Sequence, residues 1–136
     1  MFRHGNIQQL FPGIEIQIGD GIATLALPVT ENYFHAAHSM HGAVYFKLLD
    51  DAAFFAVQSQ EREYFIFTAS FQVRLLRPVT GGILTASGEW MPSEGRVASG
   101  RSQLRDAEGA LVADAEGKFV RSKIKLSEVS GYAVQK

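Results

Sequence analysis

The sequence predicts an α+β fold in which an antiparallel sheet of five to six strands wraps one long, buried helix. The central observation is that residues 42 to about 59 are apolar around most of a helical circumference and contain no proline, which indicates a helix covered on most sides. The second observation is that short segments of alternating apolar and polar residues flank this helix, two before it and four after it.

The elements before the helix are short. Residues 6–11 suit a brief helix that Pro12-Gly13 ends. Alternating isoleucines at 14–18 predict a strand, Gly19-Asp20-Gly21 predicts a turn, and residues 22–29 predict a second strand. Residues 30–41 have no clear period and indicate a loop.

Four strand segments follow the helix. Turn residues separate them, which favours a consecutive antiparallel meander. They cover residues 65–75, 83–91, 96–105 and 110–121. We expect a single domain over residues 1–136, with a core at about 13–121; residues 122–136 form either a C-terminal tail or an added helix.

Composition limits the function classes. The chain has 136 residues, of which 46% are hydrophobic and 20% charged, as in an ordinary globular domain. A net charge of -1 argues against nucleic acid as the main partner. The absence of cysteine excludes disulfides, thiolate metal sites and a cysteine nucleophile. No segment resembles a signal peptide or a membrane span, so we expect a cytoplasmic protein without a membrane partner.

The polar residues of the helix form two groups. Lys47, Asp51 and Gln58 share one stripe, which predicts a solvent face with an i,i+4 ion pair. Asp50 lies off this stripe and is expected to face protein, where a carboxylate needs a hydrogen-bonding partner or a catalytic task. The alternative is an ordinary second acid at the edge of the stripe.

The start of the helix is a second candidate. Gly42 stands where the first unpaired N–H groups emerge, and these groups with the helix dipole favour developing negative charge, as in an oxyanion hole. The alternative is a glycine that only eases the entry into the helix. His35, His38 and His41 are spaced as potential metal ligands, with Asp50 as a fourth, or as loop residues that pack and form hydrogen bonds. Since the context of known metal motifs is missing, we predict no metal and no cofactor.

Two segments resemble a known family. His41-Gly42-Ala43 with the run Leu48 to Ala53 resembles the H-G-G-x-x-x-x-L-x-D-x-A motif of the PaaI-like hotdog-fold acyl-CoA thioesterases, and residues 71–79 resemble that family's strand ending in F-L-R-P-V. The motif acid stands nine residues after the histidine, at Asp50. The resemblance covers roughly residues 13–121.

The resemblance implies a hotdog fold and a homodimer with active sites between the subunits, and assembly to homotetramers is common in the family. It implies that Asp50 acts as general base or nucleophile, that the Gly42 N–H is the oxyanion donor, and that Thr68 lies near the reacting water. His41 is the motif histidine and is expected to contact substrate. His35 stands where the family often has Asn or Gln, so it either substitutes for that amide or changes the chemistry.

Substrate contacts are also expected outside the motif. Arg77, Arg96 and Arg101 suit the phosphates of coenzyme A, with Arg96 preferred and Lys118 a weaker candidate, although surface roles are the alternative. Aromatic residues at 33, 34, 54 and 55, with Tyr33 and Phe54 preferred, are candidates for the acyl pocket, although core packing is the alternative.

These observations predict an enzyme that hydrolyses an aromatic or medium-chain acyl-CoA to the free acid and coenzyme A. Two alternatives stay open. One is a hotdog hydratase or dehydratase that pairs a histidine with Asp50, and the other is a non-catalytic acyl-CoA-binding hotdog protein.

Overall fold

The computed structural model describes residues 1–93, 95–129 and 131, and within these residues six strands form one antiparallel sheet against a single α-helix. The helix α1 spans Gly42–Gln58. The strands are β1 (Glu15–Ile18), β2 (Ile22–Pro28), β3 (Tyr64–Leu75), β4 (Ile83–Met91), β5 (Val97–Arg105) and β6 (Leu111–Lys125). The predicted fold class is confirmed, and these bounds lie within a few residues of the predicted ones.

The predicted consecutive meander is wrong for β3. The strand order is β1-β2-β4-β5-β6-β3, so that β3 pairs with β6 and forms one edge of the sheet. Tight turns join β4 to β5 and β5 to β6, whereas the seven residues 76–82 between β3 and β4 are too long for a hairpin turn and lead across the sheet. Alternation identified the strands but carried no information about which of them pair.

The helix lies very close to the sheet because small residues face each other. A Cβ atom at Gly88 of β4 would lie 2.1 Å from the Ala52 carbonyl oxygen, and one at Gly100 of β5 would lie 2.7 Å from Val57. The buried Ser102 hydroxyl of β5 also donates a 2.8 Å hydrogen bond to the carbonyl oxygen of Leu49. These contacts fix the height and rotation of α1, and therefore the direction in which Asp50 points.

The predicted solvent stripe on α1 is buried. Residues Met1–Phe11, here called the N-terminal segment, form two 3-10 helices, Phe2–His4 and Asn6–Leu10, and the segment covers the stripe. Lys47 pairs with Asp51 as predicted, but its ammonium also donates a 2.7 Å hydrogen bond to Gln8 of the segment. The helix periodicity did not reveal this cover because it comes from residues about forty positions away in the chain.

The third residue of the stripe, Gln58, is buried for a different reason. Its side-chain amide donates to the carbonyl oxygens of Glu61 and Tyr64 and accepts from the N–H of Ile66. These three bonds satisfy the backbone where the chain leaves α1 and enters β3. Gln58 therefore anchors the start of the strand that carries Thr68.

The C-terminal region continues the sheet further than expected. Strand β6 runs to Lys125, four residues beyond the predicted end, and a 3-10 turn at Leu126–Glu128 follows with Leu126 fully buried. Residues 130 and 132–136 of the predicted tail lie outside the described residues. No helix in the described ranges is long and apolar enough to cross a membrane.

Candidate active site

Asp50 and Thr68 meet across the groove between α1 and β3. The Thr68 hydroxyl donates a 2.9 Å hydrogen bond to Oδ1 of Asp50, and both side chains are half-buried. Asp50 thus faces protein, as its position on the helix predicted, and Thr68 reaches the Asp50 of its own subunit. The bond occupies one carboxylate oxygen, and Oδ2 remains available to a reacting group.

A β-bulge aims Thr68 at the helix. The pairing of β3 with β6 shifts register between Thr68 and Ser70, so that Ala69 is an extra residue. Before the bulge Ile66 and Thr68 face the helix, whereas after it Phe71 and Val73 do. The uninterrupted alternation predicted for this strand is therefore wrong, since a bulge exchanges the two faces of a strand.

The surroundings of Asp50 favour a proton acceptor of raised basicity. Burial raises the pKa of Asp50 above its ordinary value, and the neighbouring charge of Asp51 raises it further, while the hydrogen bond from Thr68 and the charge of Lys47 oppose the rise. Burial likewise raises the pKa of Asp51, which its partner Lys47 lowers. With its raised pKa, the Asp50 carboxylate is a better general base than a fully solvated aspartate.

Asp50 and Thr68 open on a cavity of about 460 Å³. We call it the Asp50 cavity. Phe54, which the sequence singled out for the acyl pocket, lines it and contacts Phe65 with ring centroids 5.4 Å apart. The lining is completed by residues of the N-terminal segment, α1, β3 and the C-terminal region: Met1, Phe2, His4, Gly5, Gln8, Asp51, Phe55, Ile66, Phe67 and Val129.

Several of these residues were missed by the sequence analysis. Phe65 and Phe67 were assigned only to a strand, and Phe2 was not considered. A signal for Phe65 and Phe67 was present in the sequence. Two aromatic residues next to a predicted catalytic threonine are uncommon on a strand face exposed to solvent, so they indicate a pocket or an interface. Phe2 carried none, since its place depends on the folding of the N-terminal segment over the helix.

The helix start has the geometry of an oxyanion donor. His41 is the N-cap, and its Nδ1 accepts a 2.9 Å hydrogen bond from the N–H of Ala43. Because Nδ1 provides a lone pair, the neutral ring carries its hydrogen on Nε2. The Gly42 N–H has no acceptor among the described residues and the residue is only half-buried, so a ligand can approach it.

Asp50 and Gly42 of one chain are too far apart to act on one thioester. Eight residues of α-helix separate them, and at about 1.5 Å per residue this is roughly 12 Å along the axis. A Cβ atom at Gly42 would lie 3.5 Å from Leu75, the last residue of β3. The helix start therefore lies beside the end of this strand, seven residues beyond Thr68. The two candidate groups of one chain therefore lie at separate places.

The loop before the helix is tightly folded. The Nδ1 of His35 accepts from the Ala37 N–H at 3.0 Å, and its Nε2 lies 3.0 Å from the Ser39 hydroxyl. His38 has a left-handed backbone with φ of 66°, which is uncommon for a residue with a side chain. Across residues 1–93, 95–129 and 131, no three His, Asp or Glu side chains are grouped to hold a metal ion.

The other predicted substrate contacts lie away from the Asp50 cavity. Arg77 follows β3 near the helix start, where its carbonyl oxygen accepts a 2.7 Å hydrogen bond from the Tyr45 hydroxyl. Arg96 lines a separate cavity of about 940 Å³ that also contains Trp90 and Arg121. Tyr33 lies in the core, and its ring packs on Phe11 with centroids 5.4 Å apart.

Solved structures show the same fold. The PaaI protein from the phenylacetic acid degradation operon of Escherichia coli superposes with a TM-score of 0.82 at 24% identity, covering 92% of this chain and 90% of that one. A point mutant of the phenylacetic acid degradation protein PaaI from Thermus thermophilus gives 0.75 at 22% identity, covering 85% and 98%. A putative thioesterase from Ralstonia eutropha gives 0.76 at 20% identity, covering 85% and 89%.

These likenesses confirm the predicted hotdog fold. None of the curated protein sequences matches the chain. Residues 37–113 match the model of the thioesterase superfamily, and this range is more than half of the sequence. The matched range includes the helix start, Asp50, Thr68 and the bulge at Ala69. The chain belongs to the thioesterase superfamily.

Proposed function

We propose that this protein hydrolyses an acyl-CoA thioester to the free acid and coenzyme A, with Asp50 as general base or nucleophile. The observation that carries this proposal is the carboxylate of Asp50, held by Thr68 in the wall of a cavity that aromatic residues also line. A thioester combines an apolar acyl group with a carbonyl that a carboxylate or an activated water can attack. Membership of the thioesterase superfamily supports the same reaction.

In the general-base route, water attacks the thioester carbon while Asp50 accepts its proton. The carbonyl oxygen becomes an oxyanion, which a backbone N–H of the Gly42 type stabilises. Collapse of the intermediate re-forms the C=O bond and breaks the C–S bond, and the thiolate takes the proton from Asp50. In the nucleophile route, Asp50 forms a mixed anhydride and expels the thiolate, and water then hydrolyses the anhydride.

The active site is proposed to lie between two subunits of a homodimer. Since about 12 Å of helix separates Gly42 from Asp50, the oxyanion donor for one chain's Asp50 comes from the other chain. The edge strand β3 is available for such pairing, and large apolar side chains on it and beside it are exposed: Phe67 at 48%, Leu75 at 54% and Phe46 at 43%. Tetramers would be built from such dimers.

The remaining predicted residues take roles within this arrangement. His35, His41 and Arg77 belong to the half-site at the helix start, so they would meet the substrate bound at the other subunit's Asp50. Arg77 and Arg96 are proposed to contact the phosphates of coenzyme A, and Phe54 the acyl group. We assign no contact to Tyr33, because its ring lies in the core of its own subunit.

The proposal is tested by thiol release from a panel of acyl-CoAs, with wild type and Asp50→Asn side by side. The panel runs from short to long chains and includes benzoyl and phenylacetyl thioesters. We expect turnover of one class and a loss of at least about a hundredfold in Asp50→Asn. Wild type that binds coenzyme A but turns over no thioester would replace this proposal with a binding protein, and turnover of enoyl-CoA instead would indicate a hydratase.

The two routes are separated by a single turnover in ¹⁸O-labelled water with enzyme in excess. A general base sends the label into the released acid. A nucleophile sends the label into the Asp50 carboxylate when water attacks the aspartyl carbonyl of the anhydride, and mass spectrometry of the Asp50 peptide detects it.

A further inference from the structure

The N-terminal segment separates two cavities. The Asp50 cavity lies on one side, and a second cavity of about 810 Å³, here called the rear cavity, lies on the other. The rear cavity is lined by Ile16 and Ile18 of β1 together with Gln58, Ser59 and Arg62 from the end of α1 and beyond. Both cavities share Met1, Phe2, His4 and Phe55 as lining residues.

Phe2 forms the main contact by which the N-terminal segment separates the two cavities. Its ring packs edge-on against Phe55 of α1, with centroids 5.4 Å apart, and only 6% of the residue is exposed. Lys47 holds the ring from the helix side, with its ammonium 5.5 Å from the ring centroid. The aromatic pair thus lines both the Asp50 cavity and the rear cavity.

Building on the proposed function, we propose that Phe2 determines the length of acyl chain that the enzyme accepts. An acyl group whose carbonyl lies at Asp50 extends along Phe54 and Phe65 until it meets the ring of Phe2. Beyond that ring the rear cavity offers further apolar wall at Ile16 and Ile18. Removing the ring joins the two cavities and admits a longer chain, while a larger ring shortens the accepted chain.

The segment supplies a matched control in Phe11. This residue is equally buried, at 8%, and its ring also lies against Lys47, with the ammonium 5.0 Å from the centroid. It lines neither cavity, because its ring packs on Tyr33 instead. Phe11→Ala therefore loosens the same segment and removes a comparable apolar contact, but it leaves the separation between the two cavities unchanged.

The test measures binding of non-hydrolysable acyl-CoA thioethers of increasing chain length by calorimetry, so that it does not depend on turnover. In wild type each added methylene improves affinity by about fourfold until the chain reaches Phe2. Phe2→Ala is expected to move the tightest-binding length upward by about two carbons or more, and Phe2→Trp is expected to move it downward. Phe11→Ala is expected to keep the wild-type length preference.

An unchanged length preference in both Phe2 variants would overturn the proposal. So would an equal shift in Phe11→Ala, since it would indicate general loosening of the segment. Wild type that binds no thioether would overturn it as well. If Phe2→Ala does not fold, Phe2→Trp alone decides, because it keeps the aromatic contact. Thiol release with the matching thioesters tests the proposed reaction separately, so that length selection and hydrolysis fail or succeed independently.

Discussion

The hydroxyl of Thr68 lies 2.9 Å from Oδ1 of Asp50, and this bond joins the middle of α1 to the edge strand at its bulge. The donor has no other hydrogen-bonding partner among the described side chains. The bond lowers the pKa of Asp50 against the larger effect of burial, so Thr68 is one of the groups that set how basic the carboxylate is.

Thr68→Val is expected to move the acid limb of the pH profile of kcat/KM to higher pH. A base is active above its pKa and loses activity as pH falls through it. Since the lost hydrogen bond lowered the pKa of Asp50, its removal raises that pKa further. On the acid limb we expect kcat/KM to fall by up to about tenfold. The measurement is a pH–rate profile with the best substrate from the thioester panel.

Thr68→Ser is the matched control, since it keeps the hydroxyl and removes only the methyl group. Its acid limb should coincide with that of wild type. A Thr68→Val limb at the wild-type position would show that the hydroxyl does not influence the base. A limb that moves equally in both variants would assign the effect to packing of the Thr68 side chain against α1.

Gly42→Pro is expected to lower kcat by about a hundredfold to a thousandfold, the usual effect of deleting one oxyanion donor. The first helical position tolerates proline, and His41 already has the extended backbone, φ -66° and ψ 144°, that a following proline requires. The substitution therefore removes the N–H while the helix is kept. Circular dichroism checks the fold, and thiol release checks the rate.

Gly42→Ala is the control for this experiment. It keeps the N–H, and its methyl group would meet Leu75 at an ordinary contact distance of 3.5 Å. We expect activity close to that of wild type. If proline and alanine have the same effect, the N–H is not the oxyanion donor.

Mixing the Asp50→Asn and Gly42→Pro variants tests the two-subunit site. In a mixed dimer one site has both wild-type residues and the other has neither. Since random exchange makes half of the dimers mixed, activity should recover to about a quarter of wild type. Co-expression with two different tags gives the mixed dimer. Activity that stays at the level of the single variants would place both residues in one subunit's site.

Lys47→Met is expected to destabilise the protein by about 3 kcal/mol, because it leaves a buried carboxylate without its partner. The side chains of Lys47 and Asp51 are only 8% and 17% exposed. The double variant Lys47→Met/Asp51→Leu removes both charges and should regain most of this loss. Urea unfolding of the two variants measures the difference, and a cost below about 0.5 kcal/mol for Lys47→Met would indicate a solvated pair.

The helix and the six strands were predictable because their patterns are local. The apolar circumference of α1, the isoleucine alternation of β1 and the turn residues between the later strands each lie within about twenty neighbouring residues. The helical position of Asp50, off the stripe of Lys47 and Asp51, followed from the same periodicity. The family motif at His41-Gly42 then indicated thioester chemistry, and the match to the thioesterase superfamily confirmed that family.

Other features depend on contacts between distant parts of the chain. The bulge that turns Thr68 toward Asp50 arises from the register of β3 against β6, and no local signal in residues 64–75 marks it. The position of β3 beside β6 instead of β4 is likewise a property of the assembled sheet.

The sequence by itself determined the elements, the fold class and the side of α1 on which Asp50 lies, because side-chain periodicity follows directly from backbone geometry. Tertiary structure decided that the stripe of Lys47 is buried, since the hydrogen bond from Lys47 to Gln8 spans 39 residues. It also decided that Phe2 lines the cavity of Asp50. Burial depends on what packs against a surface, and a periodic pattern describes only the surface itself.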